Sequence, residues 1–458
     1  MALLAPSASQ AAEKVQAMAS LDPGFGTAGV VKLPSQSTFA AYGTAIRSGS
    51  LLVSGGSSVQ VLNDLGAAGN AFGGAGSLTL PVAANKEFQL GDFTVDPQGR
   101  LLVVGSSFFP QSENPSPLLE NGTRAFRPGL VRILRFLPDG ELDATFGREG
   151  VVETGLGLPS PRGTDQKRLG SHPAVAPTGI AVDPRGQIVV TGGAVVRLGE
   201  SCVHDIFAPV AVSAGFVARF NENGAPDLSF GRNGLVGGRS LSENPLGAEA
   251  VAEPLLGPSG RITYLSGGAY ACEPNRSHFG VAQLTEDGRT RSAFGRKGAI
   301  IGPYLALAGA QDGSVVALAE VPRGEKEDFR SRLIRIAPNG RRDGSFGKHG
   351  RAEVELGPGL GSTLDSLAVD PQGRILVGGT LGTGKGRSIV LLRVSARGRW
   401  ETRFGPRGRV ATRVRHLAQF GSSDVFFDQQ GRLVTVHQYV EELKGRSGLV
   451  VARYLLQG

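Results

Sequence analysis

The chain has 458 residues, 40% of them hydrophobic, with 69 glycines and only two cysteines. No apolar run approaches the ~18 residues that suggest a membrane span, and the glycines are spread as turns would be, not set in a collagen-like triplet. A formal net charge of +8 raises the question of nucleic acid, but the arginines recur at repeat positions, Arg100, Arg374 and Arg432 in one phrase and Arg148, Arg232 and Arg296 in another. They are therefore expected around the whole body and not on one face, which argues against a nucleic-acid partner.

Residues 1–20, MALLAPSASQAAEKVQAMAS, are rich in Ala and Ser, and the apolar stretch Ala2–Ala5 is too short for a secretory h-region. They read as a disordered tail or the remnant of a signal peptide, with residues 21–458 as a single domain. At residue 21 begins LDPGFGTAG, whose Phe-Gly-x-x-Gly core starts at Phe25, Phe146, Phe230, Phe294, Phe346 and Phe404, with a degenerate copy, FGGAG, at Phe72. Unequal spacing around a constant phrase means loop insertions into one repeated unit.

Two further phrases travel with it. The first is a turn followed by a β-branched run, VDPQGRLLVVG at 95, VDPRGQIVVTGG at 182, VDPQGRILVGG at 369 and FDQQGRLVTV at 427, with weaker copies at 47, 257 and 310. Pro presets φ in such a turn and Gly accepts a positive φ; the run after it is a strand. The second is a strand ending in a turn, as in VRILRFLPDG, FVARFNENG and RLIRIAPNG. Each repeat thus offers four short strands with no helix between them. The fold predicted is all-β, a seven-bladed β-propeller of four-stranded blades, with a right-handed solenoid as the other architecture considered.

The first Phe-Gly phrase has no strands before it, and the last strands, ending VARYLLQG, have no Phe-Gly phrase after them. The N-terminal segment is therefore expected to complete the last blade, residues 29–34 forming its outer strand. A covariation supports this alignment. Arg135, Arg219, Arg335, Arg393 and Arg453 share one repeat position, and Asp143, Asp227, Asp343, Glu401 and Asp22 share another. The two repeats lacking the Arg, with Val61 and Gln283, also lack the acid, with Gly69 and Arg291. Buried ion pairs explain this, since an unpaired buried charge is expensive and losing both partners is cheap.

The phrases LDxxFGxxG, VDPxGR and RFxPDG cover nearly the whole chain and resemble those of the delta-60 repeat family of bacterial, usually exported or surface proteins. The strand phrase GIAVD is similar to that of NHL-type propellers. The resemblance implies a propeller-like body outside the cytoplasm. It implies no shared reaction, cofactor or ligand.

In such a ring the DPxG and PDG turns lie on one face, and the loops after the second and fourth strands on the other. Insertions at 107–127, 155–176, 193–214, 268–278, 321–330 and 438–447 fall on that second face, either as a binding face or as tolerated surface loops. Cys202 and Cys272 fall there in equivalent loops of blades three and four, as a disulfide or as two free thiols. So do His172, His204, His278, His416 and His437, without metal-site spacing. A register at the channel mouth reads Tyr42, Asp92, Gly179, Glu253, Ala306, Ser366 and Asp424, whose three acids could hold a divalent cation or act as acid and base. No P-loop, nucleophile elbow or dinucleotide fingerprint occurs.

The function expected is an extracytoplasmic, monomeric scaffold binding a protein or carbohydrate ligand through the insertion-rich face, with no nucleic acid and no membrane span. The alternative is a propeller-type lyase or hydrolase with a cation held by Asp92, Glu253 and Asp424.

Overall fold

The computed structural model describes residues 19–34, 42–45, 49–54, 58–73, 76–82, 87–108, 129–158, 174–199, 210–237, 250–267, 280–322, 329–354, 362–383, 386–414, 417–441 and 447–456. Local chemistry makes the hairpins. In the turn after Val95, Asp96 Oδ1 accepts the backbone N–H groups of Gln98 and Arg100, and its Oδ2 accepts Arg100 Nε at 2.6 Å. Gly99 supplies the positive φ of 82° that the turn requires. Asp370 and Asp428 repeat this arrangement with Arg374 and Arg432.

Seven antiparallel sheets result. Blade one consists of Tyr42–Ala45, Leu51–Ser54, Val59–Leu62 and Ser77–Leu78. Blade two consists of Glu87–Val95, Leu101–Phe108, Gly129–Phe136 and Val151–Thr154, and blade three of Ala174–Val182, Ile188–Gly199, Val210–Phe220 and Leu235–Gly237. Blade four follows with Ala250–Leu256, Ile262–Gly267, Gly280–Leu284 and Ala299–Ile301, then blade five with Tyr304–Gly309, Val315–Pro322, Phe329–Ile336 and Arg351–Val354. Blade six holds Ser362–Val369, Ile375–Thr383, Gly386–Val394 and Arg409–Arg413. Blade seven holds Leu417–Phe427, Leu433–Glu441 and Ser447–Leu456. The first strand of each blade packs on that of the next, and blade seven on blade one, so the chain forms a closed β-propeller.

The N-terminal segment completes blade seven. Val30–Pro34 runs antiparallel to Ser447–Leu456, with Val30 opposite Ala452 and Pro34 opposite Gly448. A second strand, Ala19–Leu21, pairs with the far end of the same strand, Ala19 opposite Leu456. Pairing therefore starts before the expected boundary at residue 21. Residues 1–18 lie outside the described residues.

The apolar core lies between blades and not within them. Each hydrophobic cluster draws on two neighbours; Leu51 and Val53 of blade one, for example, pack with Phe25, Val434, Val436 and Val451 of the last blade. The repeat phenylalanine is the wedge. Phe146 is fully buried, and a Cβ on Gly224, in the turn of the next blade, would come within 2.9 Å of its ring. Beside it, the N–H of Gly147 donates to Asn223 O of that turn at 2.8 Å. The pattern recurs with Phe230 against Gly288 and Phe346 against Gly398. The turn glycine is thus required twice, for its positive φ and for the neighbour's ring.

Candidate functional site

On the turn face the repeat arginines and acids form inter-blade staples. Arg135 Nε meets Asp143 Oδ2 at 2.8 Å, Arg219 meets Asp227 at 2.8 Å and Arg393 meets Glu401 at 2.5 Å. Arg453 meets Asp22 at 2.8 Å across the ring closure. In blade five Arg335 is shared, 3.6 Å from Asp343 and 2.5 Å from Asp312. The same guanidinium groups cross to the next blade: Arg135 to Glu222 O, Arg219 to Glu286 O at 2.5 Å and Arg335 to Ala396 O at 2.9 Å. Each of Arg135, Arg219, Arg393 and Arg453 also lies 4.4 to 5.0 Å over the repeat phenylalanine ring. Burial works against the charge of Asp143, but hydrogen bonds from Thr145 and the Arg135 charge outweigh it and hold its pKa below the usual range. In blade four the pair becomes Gln283 and Arg291, joined at 2.7 Å.

Near the axis three carboxylates do related work. Asp92 Oδ2 accepts the N–H of Ile180 in blade three at 2.9 Å, and Oδ1 that of Phe93 at 2.7 Å. Asp424 of blade seven does the same to Gly43 of blade one at 2.9 Å and to Val425 at 2.8 Å. Asp365 of blade six accepts the Ser423 N–H of blade seven at 3.1 Å and the Ser423 hydroxyl. Each acid therefore straps a first strand to the first strand of the following blade. Those strands are close: a Cβ on Gly91 would lie 2.1 Å from Pro177 O, and one on Gly43 2.4 Å from the Phe426 ring.

Burial pushes these acids upward, Asp92 to about 7 and Asp365 and Asp424 to about 6. The N–H bonds oppose that shift, and the charge of Asp424 adds to it at Asp92 and Asp365. Of the expected cation site of Asp92, Glu253 and Asp424, two side chains are described. Asp92 and Asp424 are near enough to feel each other, but both oxygens of each are held by backbone donors. Among the described residues no three His, Cys, Asp or Glu side chains converge to hold a metal ion. Glu253 and Tyr42 lie in the first strands of blades four and one, and their side chains lie outside the described residues. Asp365 escaped sequence reasoning because it stands one residue before the counted register, at the bulge position that Gly91 holds in blade two. Counting back from the turn glycine picked Ser366, whose hydroxyl meets that of Ser423 at 3.1 Å.

The face carrying the insertions is described only at its strand ends. His172, His204, His278, His416, Cys202 and Cys272 lie outside the described residues. His437 does not belong to that face: it is fully buried in the second strand of blade seven, where burial pulls its pKa down to about 3 and keeps the ring neutral. Sequence counting placed it after a strand that in fact runs to Glu441.

The basic residues are not spread evenly. Turn and outer-strand segments 285–300, 337–354 and 395–413, of blades four, five and six, carry fourteen Arg or Lys against five Asp or Glu. The equivalent segments 20–34, 62–78, 137–154 and 221–237 carry three against nine. On this rim of turns and outer strands, blades four to six form a basic sector and the other four blades an acidic one. The recurrence of Arg at repeat positions hid this, because the imbalance comes from residues between those positions.

A family described as "Domain of unknown function (DUF5122) beta-propeller" matches residues 129–146. That segment is the third strand of blade two, its turn and the Arg135–Asp143–Phe146 staple. No curated protein matches the chain. Among solved structures, the PQQ-bound aldose sugar dehydrogenase of Streptomyces coelicolor is 13% identical, covering 82% of this chain and 97% of that one, with a TM-score of 0.35. The endo-arabinase of Bacteroides thetaiotaomicron is 12% identical over 62% of this chain and 94% of that one, with a TM-score of 0.32. The acylaminoacyl peptidase of Pyrococcus horikoshii is 7% identical over 90% of this chain and 49% of that one, with a TM-score of 0.40. These likenesses carry no activity to this chain.

Proposed function

We propose that this chain is an extracytoplasmic binding scaffold that engages a protein or carbohydrate ligand through the face opposite the DPxG turns. The observation that carries this reading is the middle hairpin of blade three. Ile188–Gly199 pairs with Val210–Phe220 along its whole length, while the outer strand covers only Phe216–Ala218. The hairpin therefore runs past the outer strand of its own blade, and among the described residues no strand pairs with the outer edge of Val210–Gly215, which offers a platform for a partner. The chemistry on the axis supports the same reading, because Asp92 and Asp424, two of the three acids of the alternative cation site, are engaged as inter-blade straps. The delta-60 resemblance suits an exported protein, and in an oxidising compartment Cys202 and Cys272 would be free to form a disulfide.

The test is a screen of immobilised polysaccharides and surface proteins with purified chain, repeated on a variant whose Leu198–Ala211 is replaced by a short turn. Loss of the captured ligand in that variant, with retention in Asp92→Asn, supports the reading. Retention in the hairpin variant together with loss in Asp92→Asn overturns it in favour of an axial site. Mass measurement without reductant, on protein isolated from its native compartment, decides the disulfide.

A further inference from the structure

We infer that the turn-face cavity between blades four and five is a binding site for an oxyanion, a carboxylate or phosphate group. The cavity holds about 300 Å³ and is lined by Arg261, Thr263, Gln283, Asp312, Ser314 and Pro338. It lies on the opposite face from the proposed ligand platform and does not depend on it.

Its charge is the reverse of the repeat's usual balance. In blades two, six and seven an Asp opens the turn and neutralises the Arg four residues later, at 2.6, 2.5 and 2.6 Å. Blade four has Gly257 in place of that Asp, so Arg261 keeps its position and loses its carboxylate. Arg261 has no ion-pair partner among the described residues. The second staple of this blade is also missing its acid. Where other blades pair Arg with Asp or Glu, blade four pairs Gln283 with Arg291, whose Nη1 donates to Gln283 Oε1 at 2.7 Å and to Pro338 O at 2.9 Å. Burial and the nearby charge of Arg261 both lower the pKa of Arg291. Arg261 thus lines the cavity with no carboxylate of its own blade, and Arg291 adds a second positive charge beside it through Gln283 and Pro338, which also line it.

The one acid in the lining is already engaged. Asp312 Oδ2 receives Arg335 Nη2 at 2.5 Å and its Oδ1 receives the Ser314 hydroxyl at 2.6 Å. Thr263 Oγ1 accepts Gln283 Nε2 at 2.8 Å, which leaves the hydroxyl proton to donate to a ligand. Guanidinium forks bind carboxylate and phosphate oxygens in pairs, and a third donor at their side fixes the orientation. The cavity sits within the basic sector of blades four to six, whose field concentrates anions at its mouth.

The decisive variant is Gly257→Asp. Gly257 has no positive φ, and an added Cβ would meet its nearest neighbour, Arg261 O, at an ordinary 3.7 Å. The variant restores the repeat's Asp, captures Arg261 intramolecularly and removes no cation. Calorimetric titrations with inorganic phosphate and with galacturonate, at low salt, identify which oxyanion the site prefers. At least one is expected to bind wild-type protein, and Gly257→Asp and Arg261→Gln are each expected to weaken it at least tenfold, about 1.4 kcal/mol. Arg148→Gln, an exposed Arg in blade two, should leave it unchanged. Failure of both anions to bind, or binding by Gly257→Asp with wild-type affinity, overturns the proposal. So does an equal loss in Arg148→Gln, which would reduce the effect to overall charge.

Discussion

Arg453 and Asp22 stand 431 positions apart and meet side chain to side chain at 2.8 Å, both nearly inaccessible to water. Arg453 Nη1 also reaches Asp64 of blade one at 3.0 Å. One guanidinium therefore ties the N-terminal segment, the last blade and the first blade together. Removing one member of a buried pair leaves the other charged and unsolvated, at about 3–5 kcal/mol. Asp22→Ala should destabilise the protein by about 3 kcal/mol in urea unfolding. Asp22→Ala with Arg453→Met should cost less than the two single changes added; strict additivity would mean that the pair does not couple.

The axial carboxylates set the pH dependence. An unfolded Asp titrates near 4, whereas Asp92 titrates at about 7 and Asp365 and Asp424 at about 6 in the folded chain. Between those values the folded state binds more protons, so stability is greatest at the acid end of the window and falls as pH rises through 6 to 7. Asp143 and Asp227 have lowered values and act oppositely, losing their contribution only below about pH 4. The buried His437, with its pKa lowered to about 3, opposes this below about pH 6.5, so Tm should peak between about pH 4 and 5, decline to about pH 7 and level off above it. Asp92→Asn should flatten that decline; an unchanged slope would show that Asp92 does not titrate there.

The turn glycines allow sterics and backbone strain to be measured separately. Gly224 and Gly431 both have positive φ, 86° and 73°. A Cβ at Gly224 would strike the Phe146 ring and Val152, whereas one at Gly431 meets nothing within 4 Å. Gly431→Ala should cost about 1 kcal/mol, the backbone cost alone. Gly224→Ala should cost that and a further 1–3 kcal/mol for overpacking. Equal losses in thermal unfolding would mean that the Phe146 wedge yields easily.

Blade one is where the ring should open first. It lacks the ion-pair staple, its four strands are only two to four residues long, and Phe72 takes a left-handed φ of 55° that Phe146 and Phe230 avoid. Hydrogen exchange should release the amides of Leu51–Leu62 before those of Leu101–Phe136. Simultaneous exchange of both would indicate a ring that opens only as a whole.

The blades, their strand order and the completion of the last blade were legible because a repeat states its own alignment many times. Arg135 with Asp143, and Arg453 with Asp22, could be paired by noticing that both members vanish together. What could not be read was anything one residue out of step. Asp365 sits at the bulge position, one residue before the counted register, and His437 lies inside a nine-residue strand and is in the core where a loop was expected. The role of the axial acids was also hidden, since Asp92 and Asp424 bond to the backbone of the following blade, and a backbone N–H leaves no trace in sequence. Similarly, the repeat phenylalanine reads as a core residue of its own blade, while its cavity is completed by Gly224 of the next.

Closing the ring with Val30–Pro34 has a consequence for synthesis. This strand leaves the ribosome early, yet its partner, Ser447–Leu456, is made more than four hundred residues later. At about 5–20 residues per second, that is a wait of roughly twenty seconds or longer. A β-branched strand waiting that long is a template for pairing with the wrong chain. Lys32 and Pro34, in VVKLP, are the residue types that discourage such pairing. The same five residues that seal the finished molecule are thus guarded while the rest of the ring is still being built.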